Sequence, residues 1–348
     1  MYKLLRQSII REKLRTPRPT CISVQKCLTQ IQKKEDNPPV SNIKKYPFNK
    51  FMDYIKRYER ILEKNFPRSM KVYRVFSVGT KNYFLDAKRY IKIAIKLNAH
   101  GNESLSNEEL QLYYTMPKDT RKLLPVLLLT AIPFANYVIL PLAYYYPKQM
   151  LTSHYWLPEQ RVEFALIELK TRLKHNRPLF RCIQAELNNI KDKALRLKWK
   201  EVLACIGSGT QPSPKDIIAC SSLFIDGPYS MRFLKSKHKR ALLAIHGIPF
   251  WRPLRGVKLV NRGMMIKQMD QAIQRDGGVS QMTSDAIRWA LLIRGVNSTE
   301  MTSESMKDWL KQWLTVSETV DEDSICLLLH CPILLAYNHP SNWLLIYN

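Results

Sequence analysis

Acidic residues are scarce in this chain. Its 348 residues carry 29 Asp+Glu against 55 Lys+Arg, a formal charge of +26, and two long stretches, 123–146 and 227–269, contain no acid at all. That balance argues against cationic partners and points to anionic ones, RNA phosphate or acidic lipid. Seven cysteines form no CxxC and no paired Cys/His spacing, so neither a disulfide scaffold nor a zinc site is indicated. HExxH, GxGxxG, GxSxG and GKS/GKT phosphate-loop motifs are missing, which leaves no written signature of catalysis and no expected cofactor or metal. Alternating strand patterns are almost absent, so the expected fold is all-α.

The missing charge matters most between Leu123 and Tyr146, LLPVLLLTAIPFANYVILPLAYYY. As one helix these residues would measure about 36 Å, enough to cross a hydrocarbon core of roughly 30 Å. Arg121 and Lys122 stand at one end, Lys148 at the other, and Tyr144, Tyr145, Tyr146, Tyr155 and Trp156 suit an interfacial aromatic belt. A single transmembrane helix over 121–148 is therefore expected, with a buried core helix as the alternative. Pro125, Pro133 and Pro141 should kink it. Asn136, near its midpoint, either lines an ion path or bonds a neighbouring helix.

Four regions follow from this division. Residues 1–36 read as a mitochondrial presequence or a basic disordered tail: the first 34 hold nine Lys/Arg and one acid, interleaved with apolar residues at helical spacing. Residues 37–120 form a basic, aromatic-rich helical region. Within it Tyr83, Phe84, Ala87, Ile91 and Ile95 share a helical face, suited to an acidic membrane surface or to packing on the protein itself. Residues 121–148 are the span. Residues 149–348 make a helical domain, in which Pro158 opens one helix, Ser213 and Pro214 open another that runs to Gly227, and Ser303 caps a third with Met306, Trp309, Leu310, Trp313 and Leu314 on one face. Two helix ends share R-x-x-L-x-I-x-G, Arg240 to Gly247 and Arg288 to Gly295. A duplicated helical unit and ordinary glycine capping explain the match about equally well.

The acid-free stretch 227–269 contains ten Lys/Arg. Lys235, Lys237, Lys239, Arg240, Arg252, Arg255, Lys258 and Arg262 are candidates for phosphate contact, with Trp251 as a stacking partner. A solvated helical face would intersperse acids for i,i+4 pairing. Nucleic acid, acidic lipid and plain solvated surface all remain readings of this stretch.

The order of these features resembles the LETM-domain family of mitochondrial inner-membrane proteins. The segments that carry the resemblance are FLDAKR, PFANYVILPLAYYYPKQML, GTQPSPKDIIACSSLF and RWALLIRGVNSTEMTSESMKDWLKQWL, spread from Lys81 to the C-terminus. It implies a short form of the family, without the coiled-coil and EF-hand extension of the long members. It further implies a single-pass inner-membrane protein whose C-terminal domain, 14-3-3-like in the family, faces the matrix and binds mitochondrial ribosomes, in support of mitochondrial structure and respiratory-complex biogenesis. Respiratory-complex assembly factors and further copies of the chain are additional expected partners. The family's link to potassium or calcium exchange against protons gives an alternative, a subunit of an exchanger. An acidic-lipid-binding membrane scaffold is a second alternative. Charge alone favours the more basic N-terminal flank on the matrix side, whereas the resemblance places the C-terminal domain there. The resemblance is preferred, because insertion of an imported precursor also depends on sorting signals that charge counting does not capture.

Overall fold

The computed structural model describes residues 67–347, apart from 102, 103, 131, 133, 134 and 250–252. The expected presequence, and the first part of the basic region up to residue 66, lie outside these residues. Among the described residues the chain forms helices and no strand, so the fold is all-α. The first four helices are α1 (Pro67–His100), α2 (Asn107–Thr130), α3 (Asn136–Tyr145) and α4 (Pro147–Met150). Then follow α5 (Pro158–Leu173), α6 (Asn176–Ala185), α7 (Lys193–Gly207), α8 (Pro214–Ala219) and α9 (Ser236–Ile245). The chain continues through α10 (Arg255–Arg275), α11 (Ser284–Arg294), α12 (Ser303–Glu318), α13 (Ile325–Ala336) and α14 (Pro340–Tyr347).

Helix α13, ICLLLHCPILLA, is buried at every position. A helix apolar all round has to sit inside the others, and α13 packs against α10, α12, α9 and α6. Gly263 on α10 permits a close approach of these two helices: a Cβ there would meet Ile325 Cγ1 at 2.7 Å. On α12 the expected face, Met306, Trp309, Leu310, Trp313 and Leu314, is buried. Its cap is Thr302, one residue earlier than expected, whose hydroxyl accepts from Ser305 N at 3.2 Å. Ser213 does cap α8. That helix stops at Ala219, however, and a short 3-10 turn, Ser221–Phe224, completes the path toward Gly227.

Polar groups tie this core together. The carboxylate of Asp270, 1% exposed, accepts from the Arg294 guanidinium, from Trp313 Nε1 at 3.0 Å and from the Ser317 hydroxyl. The two similar helix ends converge on one side chain. Arg172 of α5 donates from Nε to the Ile245 carbonyl at 2.7 Å, from Nη1 to Leu292 at 3.0 Å and from Nη2 to Ile293 at 2.9 Å. Gly247 and Gly295, at φ 65° and 90°, end α9 and α11 in the left-handed conformation. Each is followed by the same backbone bond, Ile248 N to Leu243 O at 2.8 Å and Val296 N to Leu291 O at 3.0 Å, so capping chemistry accounts for the repeated sequence.

The expected transmembrane helix is corrected by the structure. Among the described residues no helix is long and apolar enough to cross a membrane. Residues 123–146 are instead divided between α2, which ends at Thr130, and α3, which starts at Asn136, and the two pack as a hairpin. Its ends meet: Lys122 Nζ donates to the Lys148 carbonyl at 2.6 Å and lies 4.9 Å from the Trp156 ring centroid. Leu123, Val126 and Ala143 are buried together, while Pro125, Pro141 and Tyr146 are exposed. Pro125 and Pro141 lie inside α2 and α3, and Pro133 falls outside the described residues. Asn136 is the first residue of α3, at the fold-back rather than midway along a continuous helix.

Residues ahead of position 149 also share the main core, in which Ile93, Leu105 and Leu110 are buried with the C-terminal helices. Asn107 N donates to Asp276 Oδ2 at 2.9 Å, and the Tyr114 hydroxyl donates to Gln268.

Arg172→Met would leave the buried Ile245 carbonyl without this donor and would take one donor from the Leu292 and Ile293 carbonyls, which keep Gly295 N at 3.3 Å and Arg262 Nη2 at 3.5 Å. With a buried unsatisfied group costing about 1–3 kcal/mol, the full chain should lose on the order of 2 kcal/mol. Denaturant unfolding followed by tryptophan fluorescence measures this.

Candidate nucleic-acid interface

Helix α9, SKHKRALLAI, has two unlike faces. His238, Ala241, Leu242, Leu243 and Ile245 point inward and are buried, whereas Lys237 and Arg240 are exposed and Lys239 is half-buried. Lys235, at the N-cap, offers no side-chain acceptor to the first turn. It is exposed and pairs with Glu186 Oε1 at 2.7 Å. Burial raises the Glu186 carboxyl, but hydrogen bonds from Lys235 and Asn189 outweigh it and hold the group below its ordinary range. Cations at a helix N-terminus oppose the helix dipole. Glu186 relieves that conflict at Lys235, and a further anion brought to this end would relieve it at Lys237 and Lys239.

The neighbouring helix α6 widens the surface. It packs against α9 and carries exposed Arg177 and Arg181 one turn apart, with Lys174 just ahead. Burial raises the Cys182 thiol on α6, and the nearby Lys237 charge opposes that rise. Phe233, 56% exposed, lies in the segment leading into α9. Sequence reasoning missed Arg177 and Arg181 because it stopped at the acid-free stretch, and it passed over Phe233 within that stretch in favour of Trp251. The signal that could have found the arginines was their i,i+4 spacing on an amphipathic helix.

The other candidates are distributed differently. Trp251 and Arg252 fall outside the described residues. Arg255 and Lys258 are half-buried in the first turn of α10 and are engaged within the protein. Arg262 is turned into the domain, with Nη2 at 3.5 Å from the Ile293 carbonyl and Nη1 at 3.6 Å from Met265 Sδ. Burial and the charge of Arg172 push its pKa down to about 9. It is structural in place, not a free phosphate contact.

Below the surface, two histidines fix α9 on α13. His330 Nδ1 lies 2.7 Å from the Cys326 carbonyl, which can only accept, so Nδ1 carries the proton. His330 Nε2 therefore accepts from His238 Nε2, 2.8 Å away. His246 Nε2 donates to the Leu329 carbonyl at 2.9 Å. This bonding makes His330 neutral, and burial disfavours the charged form of His238 and His246.

Comparison with known proteins gives the family. Residues 105–334 match the family described as LETM1-like, RBD. The chain belongs to that family. LETM1 domain-containing protein 1 of Homo sapiens is 29% identical over 306 residues, 86% of this chain and 84% of the relative. The Bos taurus protein of that name is 30% identical over 288 residues, covering 81% of this chain and 79% of its own length. The Xenopus tropicalis protein is 28% identical over 287 residues, 81% of this chain and 82% of that relative. No solved structure matches the chain. The LETM1-like match takes in the hairpin, both basic helices and most of α13.

Burial lowers the pKa of His238, His246 and His330, the last to about 4. Unfolded, each titrates near 6.5. Between the unfolded and folded values the unfolded chain binds more protons, so stability must fall as pH drops below about 6.5. Each histidine contributes up to about 1.4 kcal/mol per pH unit in its window. Unfolding midpoints at pH 7.5, 6 and 5 should decline in that order, and His330→Asn should flatten the decline.

Proposed function

We propose that this protein is a non-enzymatic adaptor of the mitochondrial inner membrane that binds the mitochondrial ribosome through the α6 and α9 surface. The observation that carries this reading is the N-terminal half of α9, which has no side-chain cap and bears Lys235, Lys237, Lys239 and Arg240, together with exposed Arg177 and Arg181 on α6, the helix packed against it. Such a surface suits the phosphate backbone of RNA, and Phe233 offers a ring for an unpaired base. Membership of the LETM1-like family, and the resemblance read from the sequence, support the ribosome as the source of that RNA. A matrix location for the helical domain follows from the same reading. By holding ribosomes at the membrane, the protein would support respiratory-complex biogenesis and inner-membrane structure.

A second reading has its own observation. The outward side of α1 mixes exposed Phe84, Leu85, Ile91 and Ile95 with exposed Lys81, Lys88, Arg89 and Lys92. That composition suits an acidic lipid surface. Tyr83 and Ile93 face inward instead, so the helix can rest on lipid with one side while packing with the other. Cation and proton exchange draws less support, since residues 123–146 contain no carboxylate to carry a proton.

The test is co-sedimentation of the full chain with mitochondrial ribosomes across a salt series. A fragment starting at 149 would omit Leu105 and Leu110 from the core. Lys237→Glu with Arg240→Glu should weaken binding at least tenfold and lower the salt slope by about two, because each phosphate that a base neutralises adds roughly one to the slope. Unaltered binding and slope would remove this surface from the ribosome interface.

A further inference from the structure

We infer that the outward face of α14, with the start of the α5 helix it packs against, lies on the lipid surface next to the C-terminal end of the apolar stretch 123–146. This rests on the membrane location proposed above and goes beyond it by naming a second point of lipid contact, after that stretch in the chain.

Helix α14 is turned inside out. Its polar residues Ser341 and Asn342 are 4% and 0% exposed, whereas Trp343, Leu344 and Tyr347 are 44%, 42% and 77% exposed. With about 3.6 residues per turn, Pro340, Trp343, Leu344 and Tyr347 share one side of the helix. No charged side chain lies between Pro340 and Tyr347, so that side is apolar throughout. The polar residues are the anchors. Asn342 Nδ2 donates to the Gly295 carbonyl at 3.0 Å and to the Ala336 carbonyl at 2.9 Å. Its Oδ1 accepts from Asn297 N at 2.8 Å, and the Ser341 carbonyl accepts from Asn297 Nδ2 at 3.0 Å. The helix is therefore held firmly with its apolar side in the open, and a covering of that side removes the cost of leaving it in water.

Position and area favour lipid as the covering. Helix α14 packs against α5, and α5 starts at the end of the apolar stretch. Phe164 meets the Trp156 ring with centroids 4.9 Å apart and has Lys148 Nζ 5.9 Å from its own centroid, while Trp156 Nε1 donates to the Pro147 carbonyl at 3.1 Å. Leu157 and Val162, at the start of α5, are 50% and 53% exposed and add to the apolar surface. Tryptophan and tyrosine suit the boundary between lipid and water. Taking about 200 Å² for each large side chain, the exposed parts of Trp343, Leu344 and Tyr347 come to roughly 300 Å², well short of the ~800 Å² that each partner gives to a standard protein interface. A second lipid contact on a chain already at the membrane is intramolecular in effect, so a small area is enough.

The test uses the full chain, with Cys21, Cys27, Cys182 and Cys205 replaced by serine, reconstituted in vesicles of phosphatidylcholine and cardiolipin. One reporter cysteine is added, Leu344→Cys or Glu300→Cys, both at exposed positions, and carries a polarity-sensitive fluorophore. Lipid spin-labelled near the headgroup should quench the reporter at 344 and leave the one at 300 bright. Iodide in the water should quench the reporter at 300 at least fivefold more than the one at 344. Trp343→Glu with Tyr347→Glu, which leaves the anchors Ser341 and Asn342 in place, should reverse both readings. Equal iodide quenching at the two positions, in a chain that floats with the vesicles, would overturn the lipid contact and leave the membrane location standing. A chain that does not float with them would overturn both. Shielding of 344 from iodide without quenching by the spin-labelled lipid would mean a protein covering, a second copy included, and would overturn lipid as the occupant. Readings unchanged by the double variant would remove Trp343 and Tyr347 from the contact.

Discussion

Arg172 is a buried cation held by the ends of two helices. The C-terminus of a helix carries partial negative charge on its last carbonyls, and this guanidinium donates to Ile245 at the end of α9 and to Leu292 and Ile293 at the end of α11. Burial works against its charge and nearby Glu168 supports it. The left-handed glycines complete the site. A Cβ at Gly247 would stand 3.4 Å from Arg172 Cδ, and one at Gly295 would stand 3.9 Å from its Nη2, so the side chain passes between two capped ends. Because α9 is fixed this way at its C-terminus, and by His238 against His330 toward its N-terminus, its outward bases are held on a rigid support.

Much of the helical core could be read from the sequence, for a reason α12 makes plain. Apolar residues at Met306, Trp309, Leu310, Trp313 and Leu314 leave a helix only one face to bury, whatever it packs against. The repeated R-x-x-L-x-I-x-G was visible too, but its common partner was not, because Arg172 lies 73 residues from Ile245 and 120 from Leu292. Arg262 shows the converse limit. In composition it belongs with the outward bases of the acid-free stretch, yet its place on α10 directs it toward the Ile293 carbonyl, and only the packing of α10 on α13 decides that.

The apolar stretch 123–146 illustrates how hydropathy and geometry part company. Length and the absence of charge specify a lipid-compatible segment, and neither says whether the chain continues or turns. Three prolines were compatible with a kinked span, but proline also ends helices by removing a donor and crowding the preceding turn. The deciding information lies outside the segment, in Thr80, Asp86, His154 and Tyr155, side chains whose pairing joins residues up to 75 positions apart.

The hairpin is also continuous with the core that follows it. The N-terminal half of α2 bonds to α10 through Tyr114 and Gln268, Asn107 N donates to Asp276 just past the end of α10 at 2.9 Å, and Ile93, Leu105 and Leu110 are buried with the C-terminal helices. Residues 123–146 are therefore joined to the domain by packed helices, so a boundary drawn at 149 would cut through one core.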